Sequence, residues 1–313
     1  MAVWNYSILV GSLEILISMI YQFLRFDYIL KILTSLHEFD EKARNWKLSV
    51  NFTKHFKMAA IFIFISVPLT TILNILSCLF YIFKVDLGFC NDIISILGNL
   101  DYIFSSAFAF QFLCAAIAIR DRFNSVHEKV LSTRNFNNYE INLIIDLYKR
   151  LFNLINLVNS HVSFQLIPVV AYILMSNTLT FYSMFRLFVT NSVYKYLFLG
   201  SELVIIGSNS LILITLIHCS VTAVESAERF FDVAYEIKSE LKIQNHEDET
   251  KFLDFVNLMK GKGKLRFKTA FFDVNWKLLF KCISTAVTFM IITCQFDISN
   301  IEFDNKNNNS LKT

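Results

Sequence analysis

The chain has 313 residues, 55% of them hydrophobic, with a mean hydropathy of +0.49. Two prolines, seven glycines and 33 phenylalanines, gathered into long apolar blocks, exclude an ordinary soluble domain and indicate a multi-pass membrane protein. A net charge of +3 is too small to suggest a nucleic-acid partner, and six scattered cysteines without a CxxC support neither a disulfide framework nor a zinc site.

Six runs are long enough to cross a bilayer: about 3–24, 58–83, 93–119, 162–185, 196–224 and 278–296. No Lys or Arg precedes the first and no small-residue cleavage site follows it, so it reads as a retained helix rather than a signal peptide. Lys and Arg alternate in density along the chain. Loops 25–57, 120–161 and 225–272 hold seven, six and nine, while the opposite side holds only Lys84, Arg186, Lys195, Lys306 and Lys312. Positive charge stays in the cytosol, so the three rich loops are expected inside and both termini outside.

The inside loops carry helical stripes. Ile29, Ile32, Leu33, Leu36, Phe39, Ala43 and Trp46 form one. Ile141, Ile144, Tyr148, Leu151, Leu154, Ile155 and Val158 form a second, and Val224, Ala227, Phe231, Ala234, Ile237 and Leu241 a third. No Gly or Pro separates these stripes from the membrane runs. The spacing therefore predicts spans that continue into the cytosol and bury their stripes against each other. Glu38, Asp40, Glu41, Glu225, Glu228 and Asp232 argue against docking on anionic lipid. The run Lys260–Lys264, KGKGK, breaks the chain between a short amphipathic piece (Phe252, Phe255, Val256, Met259) and the last span.

Ionisable residues in apolar runs mark candidate sites. Asp101 and Glu202 lie toward the expected outer face, at the depth of Tyr102, Asn177, Tyr182 and Ser208. Together they could line a pocket for a small organic ligand; alternatively Asp101 and Glu202 sit at the interface and meet water, or pair with Arg186 or Lys195. Glu14 lies mid-span. His161 and His218 read as satisfied polar residues of a helical bundle. No GxGxxG, P-loop, HExxH or GxSxG occurs, so no enzyme, nucleotide or other cofactor is expected. Gln295 closes the last span beside Phe296, and Asn308-Asn309-Ser310 beyond it is a weak glycosylation sequon.

The tail Thr288-Phe289, five residues, then Gln295-Phe296 resembles the TY-(five hydrophobic)-QF motif that closes insect gustatory receptors. Phe272-Asp273-Val274-Asn275-Trp276-Lys277-Leu278-Leu279 resembles the same family's lead-in, and Leu154–Leu166 is similar to the start of its fifth span. Phe289 stands where Tyr is usual, and Ala270 where a Gly is expected before the Phe-Phe pair. The resemblance implies an all-α membrane protein: a bundle of about six transmembrane helices, extended by cytoplasmic helices and lacking the family's first span. It further implies a tastant-gated, non-selective cation channel in the plasma membrane, assembled as a homo- or hetero-tetramer. Gln295 and Phe296 would then form the gate, with Thr288, Phe289 and Ile292 on the pore helix. Ligand would meet Asp101, Tyr102, Asn177, Tyr182 and Glu202. Three regions follow: 1–250 for ligand binding, 251–296 for a cytoplasmic anchor and pore helix, and 297–313 as an extracellular polar tail. Other readings are a secondary transporter using Glu14, Asp101 and Glu202, or an odorant-type receptor of the same superfamily. Loop charges that place both termini on one side argue against a G-protein-coupled receptor.

Overall fold

The computed structural model describes residues 25–46, 48, 89–133, 136–189, 195–239, 246–261 and 265–310, together with Leu16 and Ile20. Among the described residues the continuous helices are α1 (Phe26–Asn45), α2 (Phe89–Ser132), α3 (Asn138–Val189), α4 (Lys195–Ser239), α5 (His246–Gly261) and α6 (Trp276–Ser310). Among the described residues there is no strand; Lys268 and Asp273 form an isolated antiparallel bridge. The fold is all-helical, as the sequence implies.

Three described segments are long and apolar enough to cross a membrane: Phe164–Phe185, Glu202–Ala234 and Trp276–Gln295. They match three of the six expected spans. Span 58–83 lies outside the described residues, as does 3–24 apart from Leu16 and Ile20. Span 93–119 falls on α2, whose side chains are described from Ser105 onward.

α2, α3 and α4 each join an apolar run to a polar run without a break, as the absence of Gly and Pro between them predicts. At 1.5 Å per residue the 52-residue α3 is about 78 Å long, well over twice a bilayer's hydrocarbon thickness. Its start is fixed locally. Asn137 Oδ1 accepts from Glu140 N at 2.8 Å, and Asn137 N donates to Glu140 Oε2 at 3.1 Å, a reciprocal capping box. Phe136 and Ile141, at the positions of a hydrophobic staple, are both buried.

The packed core sits at the charged end, where α1 and α5 clasp the ends of α2, α3 and α4. Phe123, Tyr148, Phe152 and Phe230 form an aromatic cluster, with Tyr148 and Phe230 ring centroids 3.9 Å apart. Phe252 and Phe255 of α5 close against Phe230 at 6.3 and 5.6 Å. Every described member of the α3 and α5 stripes is buried. Two assignments differ. Leu33 is exposed, because α1 turns Ile32, Phe39, Ala43 and Trp46 inward instead. In α4 Phe230 is the core residue, with Phe231 packed partly against it; Ile237 and Leu241 lie outside the described side chains.

Two acidic residues of α1, Asp40 and Glu38, pair with the bundle. Asp40 takes two bonds from Arg122 of α2, at 2.9 and 2.6 Å, while Arg122 Nη1 donates to Ala118 O at 2.9 Å. Glu38 pairs with Arg150 of α3 at 2.7 Å, and Asp146 accepts from both Lys42 and Arg150. The lysine and arginine bonds hold the Asp146 carboxyl below its usual range, although partial burial pushes the other way. Bidentate geometry makes the Arg122–Asp40 pair the firmest tie between α1 and the bundle.

Candidate functional site

α3 and α4 run antiparallel with a readable register. Asn209 Nδ2 donates to Ser176 Oγ at 2.9 Å and to Asn177 Oδ1 at 3.3 Å. Ser183 Oγ donates to Glu202 Oε1 at 3.2 Å. These two contacts are seven residues apart on both helices, the repeat of helices packed at a shallow crossing angle. Stepping on by sevens reaches Val169 with Leu216 and, two steps further, Ile155 with Phe230, all buried. The seam is thus apolar toward the charged end and polar toward the other.

Near the polar stretch, a cleft between α2, α3 and α4 is lined by Ser105, Ser106, Tyr172, Ile173 and Asn209. Among the described residues, Ser106 Oγ, Asn209 Oδ1 and Glu202 Oε2 are buried without a hydrogen-bond partner. An unsatisfied polar atom in such surroundings costs about 1–3 kcal/mol.

Of the expected ligand residues, Asn177 and Glu202 therefore lie on one seam, with Tyr182 half-buried beside Ser183. Glu202 does not sit open to water: it is buried and bonded to Ser183. Asp101 and Tyr102 lie on α2 with side chains outside the described set, and Glu14 lies outside the described residues. Ser208 is half-buried and donates to its own helix, at Ile205 O. Asn209 was not singled out by sequence, although a lone amide inside an apolar run is itself a signal. His161 differs from the satisfied residue expected. It is buried, neither ring nitrogen has a hydrogen-bond partner among the described residues, and the ring stacks on Tyr28 of α1 at 5.9 Å. Burial, then the nearby Arg25, holds its imidazole below the usual range. His218 is exposed.

Between α5 and α6 a strap, residues 265–275, is tied to all three long helices. Phe267 is buried edge-on against Phe112 of α2, with centroids 5.2 Å apart. Asn159 of α3 grips the strap backbone twice, donating to Arg266 O at 2.8 Å and accepting from Lys268 N at 3.1 Å. Ser220 of α4 donates to Val274 O at 2.9 Å. Within the strap, Val274 N reaches Phe267 O at 2.8 Å and Arg266 pairs with Asp273 at 2.7 Å. Asn275 then caps α6, its Oδ1 accepting from Lys277 N at 3.0 Å.

Beyond this base α6 is bare. Only 6% of its membrane-length window is buried, against 33% and 39% for the other two. Leu278 is buried, and Leu279 and Cys282 lean on the core. At 100° per residue, Lys277, Lys281, Ser284, Thr288 and Gln295 fall within an arc of about 60°, on the side of α6 away from Leu279 and Cys282. All five are exposed. Ile292, exposed, lies at about 60° from Gln295, whereas Phe289, also exposed, lies about 120° away. Thr288 Oγ1 donates to Ser284 O, and Thr293, off the arc, to Phe289 O. The side chain of Phe296 is outside the described set, and α6 continues past it to Ser310.

A sequence model of the family described as 7tm Chemosensory receptor matches residues 5–300. The chain belongs to that family. No curated protein matches it significantly. In this chemosensory receptor the apolar helices make a membrane protein, and the family gives it a receptor role. The resemblance in the final 25 or so residues is thereby extended to nearly the whole chain.

Proposed function

We propose that the receptor is one subunit of a tastant-gated cation channel of the gustatory type, working in the plasma membrane of sensory neurons. Four subunits, of this chain alone or mixed with others of the family, surround a water path lined by α6. The charged end lies in the cytosol and the C-terminus outside, following the bias of Lys and Arg. A tastant enters from outside and binds among α2, α3 and α4, where Asn209, Glu202 and Ser106 offer unused hydrogen-bonding atoms. A ligand rich in donors satisfies them.

One observation carries the pore: beyond its base α6 is bare of contacts from its own chain, and five of its polar residues gather on one side while Phe280, Ile283 and Val287 are exposed on another. A lysine facing hydrocarbon at mid-bilayer costs about 2.5–3.5 kcal/mol, falling toward the ends of the span. Lys281 lies about 7 Å into the membrane-length window. A stripe of Lys277, Lys281, Ser284, Thr288 and Gln295 facing water avoids that cost. At its far end Gln295 becomes a ring of amides that replaces part of a cation's hydration shell, beside apolar Ile292 and Phe296 that close by dewetting. Phe289 sits toward the flank and packs between neighbouring α6 helices or against lipid.

Replacing Gln295 with Ala tests the reading. Ion preference or ligand dose response should change while surface expression does not. Currents identical to wild type in both respects would remove α6 from the pore.

A further inference from the structure

Lys277 and Lys281 lie one turn apart at the start of the polar stripe. Both are exposed, and neither makes an ion pair among the described residues. The acidic side chain nearest in sequence, Asp273, is held by Arg266 at 2.7 Å. From Trp276 to Phe296 there is no Asp or Glu, so no carboxylate of that stretch offsets the two charges. The base that carries them is rigid: Asn275 caps the helix, Leu278 is buried, and the strap is bonded to α3 and α4.

Fixed charges at a pore mouth act on a passing ion in proportion to its valence. Whatever factor they impose on a monovalent cation, they impose its square on a divalent one. We propose that Lys277 and Lys281, repeated around the axis, form a valence filter at the charged-end mouth that holds back divalent cations relative to monovalent ones. This rests on the pore reading above and deepens it: within a non-selective cation pore, calcium is disfavoured against sodium. Lys281, the deeper of the two along the stripe, carries the larger share.

The test is the calcium-to-sodium permeability ratio, from reversal potentials of ligand-evoked currents through the full-length receptor with whatever partner subunits it needs. K277Q/K281Q should raise the ratio by the factor the charges impose on a monovalent cation, about threefold where they hold sodium back about threefold, while K281R leaves it at the wild-type value. In Lys281→Cys channels the raised ratio should return toward wild type when a cationic aminoethyl thiosulfonate restores the charge, with treated wild type as the control for native cysteines. That reversal is read in molecules already folded and conducting. An unchanged ratio in K277Q/K281Q, with Gln295→Ala still altering permeation, overturns the filter and leaves the pore reading standing. If neither set of variants alters permeation, the pore reading falls and the filter with it.

Discussion

Phe267 of the strap is the side chain whose removal should most loosen α6 from the bundle. It is 1% exposed and meets Phe112 at an interplanar angle of 85°, the edge-to-face geometry aromatic rings prefer. Phe267→Ala deletes a buried ring in a site pinned on both sides, at Asn159 and Ser220, so the cavity cannot collapse freely. Buried Phe→Ala changes of this kind cost about 3–5 kcal/mol. For a chain of this size, about 2–3 °C per kcal/mol puts the melting midpoint about 6–15 °C below wild type. The assay is a thermal series on detergent-solubilised receptor, scored by the fraction that still elutes as a single species. Phe112→Ala supplies the second arm of a cycle. The double variant should lose less than the two singles together by about 0.5–1.5 kcal/mol, the share belonging to the ring pair itself. A Phe267→Ala midpoint within about 1 °C of wild type, or strict additivity in the cycle, would refute the claim that this ring wedges the strap against α2.

Asp40→Asn should lower the midpoint by the equivalent of about 1.5–3 kcal/mol, the range for hydrogen bonds to charged groups, because the pair is only partly buried and Arg122 keeps its bond to the Ala118 carbonyl. Arg122→Met combined with it should lose less than the sum, read in the same melt. Burial, helped by the positive charge of Arg229, pushes His127 down from its ordinary 6.5 to about 4. The unfolded chain then takes up a proton that the folded one refuses. Stability is full above the ordinary value and falls as pH drops toward 4, by up to about 3 kcal/mol. His127→Phe should flatten that part of the pH–stability curve, and an unchanged slope would place the imidazole in contact with water.

Helical periodicity and charge placement are local properties, and they carried a long way. Ile144, Leu151 and Ile155 repeat at the helical interval because α3 has one face to bury, and all three are buried. The unbroken passage from apolar run to polar run follows from the lack of Gly or Pro, and α2, α3 and α4 show it. The polar stripe of α6 is likewise written in the spacing of Lys277, Ser284, Thr288 and Gln295. Which residues meet across helices is not local, and only the tertiary structure decided it. Asp40 finds Arg122 across 82 positions, and Asn159 finds the strap across 107 and 109. Leu33 points outward while Ile32 points in, because the rotation of α1 about its axis is set by the partners it docks against. Asn209 and Glu202 share a seam because an antiparallel register, fixed by packing along the whole of α3 and α4, brings them opposite Ser176 and Ser183. A sequence states what each helix must hide; the fold chooses what hides it.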